Sequence, residues 1–111
     1  MKAAIYFADE KVHAAYLALA GSRRSEDRVV AAMLERAFDA IERDAYAGTQ
    51  LPKRLIPPAY HQRYDPIDAL WKFDMAGGWR LIYALSGRDG EVRAIVMEWF
   101  DHGEYERRFK Y

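Results

Sequence analysis

The sequence predicts an α+β fold: an N-terminal strand and helical hairpin packed on an antiparallel β-sheet that ends in a three-stranded meander, with a short C-terminal helix or tail. Two patterns carry this. Residues 9–48 hold two stretches of apolar residues at helical spacing. Residues 68–100 hold three strand-like runs broken by glycine-containing turns. At 111 residues the chain sits near the commonest single-domain size, so both patterns are assigned to one domain spanning 1–111.

Ala3 to Ala8, with Ile5, Tyr6 and Phe7, suits a short buried strand. Asp9 can cap a helix whose apolar positions Val12, Ala15, Tyr16 and Leu19 follow the i, i+3, i+4, i+7 rule, with Gly21 as its stop. A second helix is expected from Ser25 as N-cap to about Gly48. Glu26 and Asp27 lie on its first turn, where the helix dipole favours negative charge, and Val30, Met33, Leu34, Ala37, Phe38 and Ile41 form one wide stripe. Glu42, Arg43 and Asp44 read as its solvated face. From Leu51 to Asp65, prolines 52, 57 and 58 forbid a continuous helix and favour extended chain. Lys53, Arg54 and Arg63, interleaved with Tyr60 and Tyr64, bias this loop towards positive charge.

The meander runs over Asp68 to Met75, Trp79 to Ser86 and Glu91 to Phe100. Three-residue loops with glycine in the left-handed conformation would set Met75 opposite Trp79 and Gly87 opposite Glu91. Parity then puts Trp71, Phe73, Met75, Trp79, Leu81, Tyr83, Ile95, Met97 and Trp99 on one face, committed to the helices. Lys72, Asp74, Arg80, Ile82, Ala84, Val96, Glu98, Phe100 and, further out, His102 fall on the other. A two-residue second turn would carry Glu98 in among the aromatic residues, an expensive burial, so the three-residue loop is expected there. Burying the aromatic face contributes on the order of 2 kcal/mol per large side chain and fixes the register more firmly than any ion pair opposite.

Composition excludes several chemistries. Without cysteine there is no disulfide, thiolate nucleophile or Cys-based metal site. His13, His61 and His102 are far apart in sequence and none forms an H-x-x-x-H pair, so neither a metal site nor a cofactor is expected. No apolar run approaches the roughly 18 residues of a membrane span, and the N-terminus does not read as a secretory signal, so a cytoplasmic protein is expected. The formal net charge of zero gives no global attraction to nucleic acid, and RNA contact would rest on local charge.

The segment Leu70-Trp71-Lys72-Phe73-Asp74-Met75-Ala76-Gly77-Gly78-Trp79-Arg80-Leu81-Ile82-Tyr83, followed by Trp99-Phe100-Asp101-His102-Gly103-Glu104-Tyr105-Glu106-Arg107-Arg108, resembles the RelE/ParE family of microbial toxins. Gly-Trp-Arg-Leu-Ile-Tyr followed by His-x-x-Tyr is the strongest part of the match, which at motif level covers about residues 70–108. The resemblance implies the toxin of a type II toxin–antitoxin system, held inactive by a cognate antitoxin protein. The RelE branch is a metal-independent endoribonuclease (mRNA interferase) that cuts mRNA on the ribosome and so inhibits translation. The ParE branch poisons DNA gyrase without cutting RNA, and a RelE-like protein that has lost its activity is left as a binder of the antitoxin alone.

Cleavage by the ribose 2′-OH needs a base for that hydroxyl, an acid for the departing 5′-oxygen and cations for the phosphate. By the resemblance, Arg80 stabilises phosphate charge with Lys72 assisting, and His102 and Tyr105 transfer protons. Lys53, Arg54, Arg107 and Arg108 grip the RNA backbone, where positive charge positions without reading sequence. Asp74 stands where the family often has a second lysine. Each residue also has a plain reading. Arg80 can form a cross-strand ladder with Asp74 and Glu98, and Glu98 can alternatively be the base. His102 can be a turn or cap residue and Tyr105 a ring packed on the sheet edge. Arg107 and Arg108 can solvate a C-terminal helix alongside Glu104 and Glu106, and the three tryptophans read as core rather than as base-stacking platforms.

Overall fold

The computed structural model describes residues 1–58, 60 and 69–109, and only the backbone of Arg88. Strand β1 (Ala4–Phe7) leads into helices α1 (Glu10–Ala20) and α2 (Ser25–Arg43), then β2 (Thr49–Gln50), β3 (Leu70–Asp74), β4 (Arg80–Arg88), β5 (Glu91–Phe100) and α3 (His102–Phe109). The fold is α+β, and these elements of the described residues comprise three helices and one five-stranded sheet in the order β1-β5-β4-β3-β2. The expected start of the first meander strand at Asp68, and the loop residues His61, Arg63, Tyr64 and Asp65, lie outside the described residues.

Local chemistry accounts for most boundaries. Asp9 caps α1, its Oδ1 accepting the Val12 N–H at 2.9 Å, and the Gly21 N–H closes the other end on the Leu17 carbonyl at 2.9 Å. The second cap differs from expectation. Arg24, not Ser25, is the N-cap of α2, and the turn is held from Ser22, whose Oγ accepts from Arg24 N at 3.1 Å and donates to Asp27 at 2.7 Å. Nor does α2 reach Gly48: it stops at Arg43 because Asp44 turns extended and its carboxylate accepts the Tyr46 N–H at 3.1 Å.

The sheet is mixed rather than antiparallel, since β1 runs parallel to β5, with Ala4 opposite Arg93 and Phe7 opposite Val96. The first hairpin has the expected register. Asp74 pairs with Arg80, and Ala76, Gly77 and Gly78 turn the chain with both glycines at positive φ (67° and 81°). The second hairpin corrects the expectation. Arg88 pairs with Glu91 across a two-residue turn of Asp89 and Gly90, whose φ values of 52° and 77° match the type I′ form that suits strand twist.

That register is kept only as far as Tyr83↔Val96; the next pair is Ile82↔Glu98, so Met97 is an extra, bulged residue. Ala94 and Val96 consequently join the helix-facing core, while Ile95 and Met97 turn to the opposite side, the reverse of the expected assignment. Past the bulge parity is restored. Trp99 faces the helices and Glu98 stays off the aromatic face, so the costly burial is avoided by a bulge rather than by a longer turn.

Two cores sandwich the sheet. On one side Val12, Met33, Leu34, Ala37, Phe38 and Ile41 of the helices meet Leu81, Tyr83, Ala94 and Val96. On the other, Leu70, Ile82, Ala84, Met97 and Phe100 are covered by Leu51, Ile56 and Tyr60 of the proline-rich segment and by Tyr105 and Phe109 of α3. The second face, although it carries Lys72, Asp74, Arg80 and Glu98, is therefore covered as the first is. Chain segments cover the sheet on both sides, and the radius of gyration is 13.6 Å, close to the roughly 13 Å of a packed domain of this size.

Candidate functional site

Lys72 and Arg80 sit on neighbouring strands and point to the same side of the sheet, as a β3–β4 antiparallel register requires. Both converge on one oxygen. Lys72 Nζ lies 3.0 Å and Arg80 Nε 2.9 Å from Asp74 Oδ1. The cationic side chains are each only 17% exposed, whereas Asp74 is 57% exposed. The aromatic ring of Tyr105 covers the pair from α3, its centroid 6.0 Å from Lys72 Nζ and 5.6 Å from the Arg80 guanidinium carbon. Arg80 Nη1 also donates to the Trp79 carbonyl at 3.2 Å. Its Nε is buried and, despite the short distance to Asp74, is not aimed at an acceptor in hydrogen-bond geometry.

His102 opens α3 at the same corner. A Cβ placed on Gly78, in the β3–β4 turn, would come within 3.1 Å of His102 Cβ, so only glycine fits comfortably beneath it. Asp101 caps the helix, its Oδ1 accepting the Glu104 N–H at 2.9 Å. The His102 imidazole is 55% exposed and its Nε2 lies 2.9 Å from Glu106 Oε1, one turn along. Tyr105 follows on the next turn but is 2% exposed, its ring stacked on Phe109 at 4.9 Å. It lies in the second core.

The remaining sequence candidates are placed elsewhere. Arg80 pairs across to Phe100, and Glu98 pairs with Ile82, so Glu98 is not the direct cross-strand partner of Arg80 that the expected register implied. It is held by Arg108, whose Nη1 reaches both carboxylate oxygens at 2.8 and 2.9 Å, and by the Tyr60 hydroxyl, which donates to Oε2. Arg108 also donates from Nε to Glu104 at 2.9 Å, and Arg107 binds the same carboxylate at 2.7 Å. Bonds from Arg108 and then Arg107 hold the Glu104 carboxyl below its usual range, and the same Glu104 contact is the main cause that raises Arg108. Lys53 and Arg54 lie exposed on a 3₁₀ turn beyond β2. A cleft of about 430 Å³ between α1 and α3 is lined by Lys11, Val12, Glu98 and Arg108 and does not include Lys72 or Arg80.

The structure thus brings Lys72, Arg80, Tyr105 and His102 to one corner and leaves Glu98 and Arg108 in a separate ion-pair network. Two participants are not among the candidates read from sequence. Glu106 beside His102 is signalled by its i+4 spacing, and Phe109 by its i+4 relation to Tyr105, which marks an apolar face on α3. Among the described residues no three His, Asp or Glu side chains group as a metal site would need, and no helix is long and apolar enough to cross a membrane. The chain matches no protein-family model, and no curated protein and no solved structure is found to be similar to it.

Proposed function

We propose that the chain is a toxin of the RelE kind, an endoribonuclease that cleaves mRNA on the ribosome in the cytoplasm and is neutralised by a cognate antitoxin protein. The observation that carries this is the corner where Lys72 and Arg80 converge under the Tyr105 ring, with the exposed His102 three residues earlier on the same helix and against Gly78 of the β3–β4 turn. It offers cations for a phosphodiester and an imidazole whose ring nitrogens can donate or accept a proton. In the reaction the 2′-oxygen attacks phosphorus and loses its proton to a base. The bond to the 5′-oxygen breaks as that oxygen gains a proton, leaving a 2′,3′-cyclic phosphate. Glu106 at Nε2 favours the proton on that nitrogen and leaves Nδ1 of His102 to exchange the reaction's proton. Tyr105 then acts by positioning Arg80 and Lys72 through its ring rather than by proton transfer. Glu98 and Arg108 act by holding α3 in place.

Induced expression in bacteria tests the proposal. Wild-type chain is expected to arrest growth and to leave mRNA cut at mapped positions, with the His102→Ala chain much weaker in both. Arrest of equal strength by the two chains would refute it. A second reading, a ParE-type inhibitor of DNA gyrase that cuts no RNA, is favoured by the acid already seated on Lys72 and Arg80. It predicts growth arrest with DNA-damage signalling and intact mRNA.

A further inference from the structure

Asp74 is a single exposed carboxylate placed where two largely buried cations meet. Its Oδ1 lies within 3.0 Å of Lys72 Nζ and 2.9 Å of Arg80 Nε. A carboxylate oxygen between a lysine and an arginine is chemically what a phosphate oxygen would be there. The fit is incomplete, because Arg80 Nε stays without an aligned acceptor although Asp74 neutralises its charge. A phosphodiester sets its two non-bridging oxygens tetrahedrally about phosphorus and so offers directions that the one Asp74 oxygen does not. Asp74 is also the exposed member of the trio and sits at the end of β3, beside the turn of Ala76, Gly77 and Gly78, so it can swing into solvent without disturbing either core.

We propose that Asp74 is a built-in competitor for RNA phosphate: its carboxylate occupies the anion position between Lys72 and Arg80 and must leave before a phosphodiester of a single-stranded RNA can bind there. This rests on the reading of the corner as an RNA site, and adds that the site is held closed by the chain itself. Removing the carboxylate leaves two cations facing one gap, and an external phosphate relieves their repulsion. Asp74→Asn keeps the shape and removes the charge.

The test is fluorescence anisotropy with a labelled single-stranded oligonucleotide carrying 2′-O-methyl groups, which cannot be cut by 2′-OH attack. Asp74→Asn is expected to bind about tenfold tighter than wild type, equivalent to about 1.4 kcal/mol. Its affinity should fall more steeply with salt, by about 0.7 in the log–log slope for each additional phosphate neutralised. Lys72→Gln in the Asp74→Asn background should return affinity to the wild-type level. Equal affinity of wild type and Asp74→Asn overturns the inference, as does a tighter affinity that survives Lys72→Gln, since the added attraction then lies elsewhere. Urea unfolding of each variant confirms that a folded chain is compared. Parallel incubation with unmodified RNA separates the two claims. Tighter binding by Asp74→Asn with RNA left whole sustains the competitor and sinks the nuclease, whereas cleavage with unchanged binding does the reverse.

Discussion

Tyr83 carries a hydroxyl into the helix-facing core and uses it twice, donating to the Ala45 carbonyl at 2.9 Å and accepting the Gly48 N–H at 3.0 Å. Tyr83→Phe would strand both backbone groups and is expected to lower stability by about 1–3 kcal/mol in urea unfolding. A loss near zero would mean that solvent reaches them. Burial raises the Tyr83 hydroxyl above its usual pKa of 10.0. The unfolded chain therefore releases this proton first, so the contribution is intact below about pH 10 and is lost as pH climbs further. Gly48 is constrained from the same side, because a Cβ there would stand 2.3 Å from the Lys72 carbonyl oxygen and 2.8 Å from the Tyr83 hydroxyl. Gly48→Ala should destabilise by about 1–3 kcal/mol, with the melting midpoint as readout, and an unchanged midpoint would refute the close approach. Neither contact was legible in the sequence. The Gly48–Tyr83 bond joins residues 35 positions apart, across a segment whose path composition does not specify.

At the scale of elements, α3 decides what the second sheet face can do. It is pinned by Tyr105 and Phe109 in the core and by Arg108 on Glu98 and Glu104. Arg108→Ala should loosen it, raising hydrogen exchange across 102–109 and lowering stability by about 1–2 kcal/mol, because the partly buried Glu98 and the Glu104 carboxylate both lose the Arg108 guanidinium. If Arg108 served only to grip RNA, exchange would not change. The Glu104 carboxyl, held below its usual 4.5 by Arg108 and Arg107, binds its proton more readily in the unfolded chain. Its stabilising effect is therefore present above about pH 4.5 and is lost as pH falls through the lower folded value. Exchange over α3 should rise in that acid range.

Helices α1 and α2 and the first hairpin were legible because their signals are local: the Asp9 cap, the apolar stripe of α2 and a Gly-Gly turn. The second hairpin was not, since a two-residue turn plus one bulged residue leaves Glu98 on the same face as a three-residue turn does. Parity at Glu98 does not distinguish them. The placing of residues before the bulge does, but Ala94, Ile95, Val96 and Met97 are all apolar and suit either face.

For the whole molecule, the sheet's two covered faces divide the labour. The α1–α2 side supplies a core of helices on strands, and the α3 side buries most of Lys72 and Arg80 while leaving His102 and Asp74 at the rim. The residue types of this corner were readable from Gly-Trp-Arg and His-x-x-Tyr. Their division into rim and core was not, because it follows from α3 folding back over the strands. With a formal net charge of zero, the surface as a whole offers no general attraction to nucleic acid, and the proposal assigns RNA binding to this corner alone. The most direct measurement is the chemistry of the products when purified chain is incubated with single-stranded RNA in the presence of a chelator. The proposed mechanism predicts fragments ending in 2′,3′-cyclic phosphate, formed about 10²-fold or more slowly by His102→Ala, as loss of an acid–base group implies. Intact RNA, or equal rates from both chains, would contradict it.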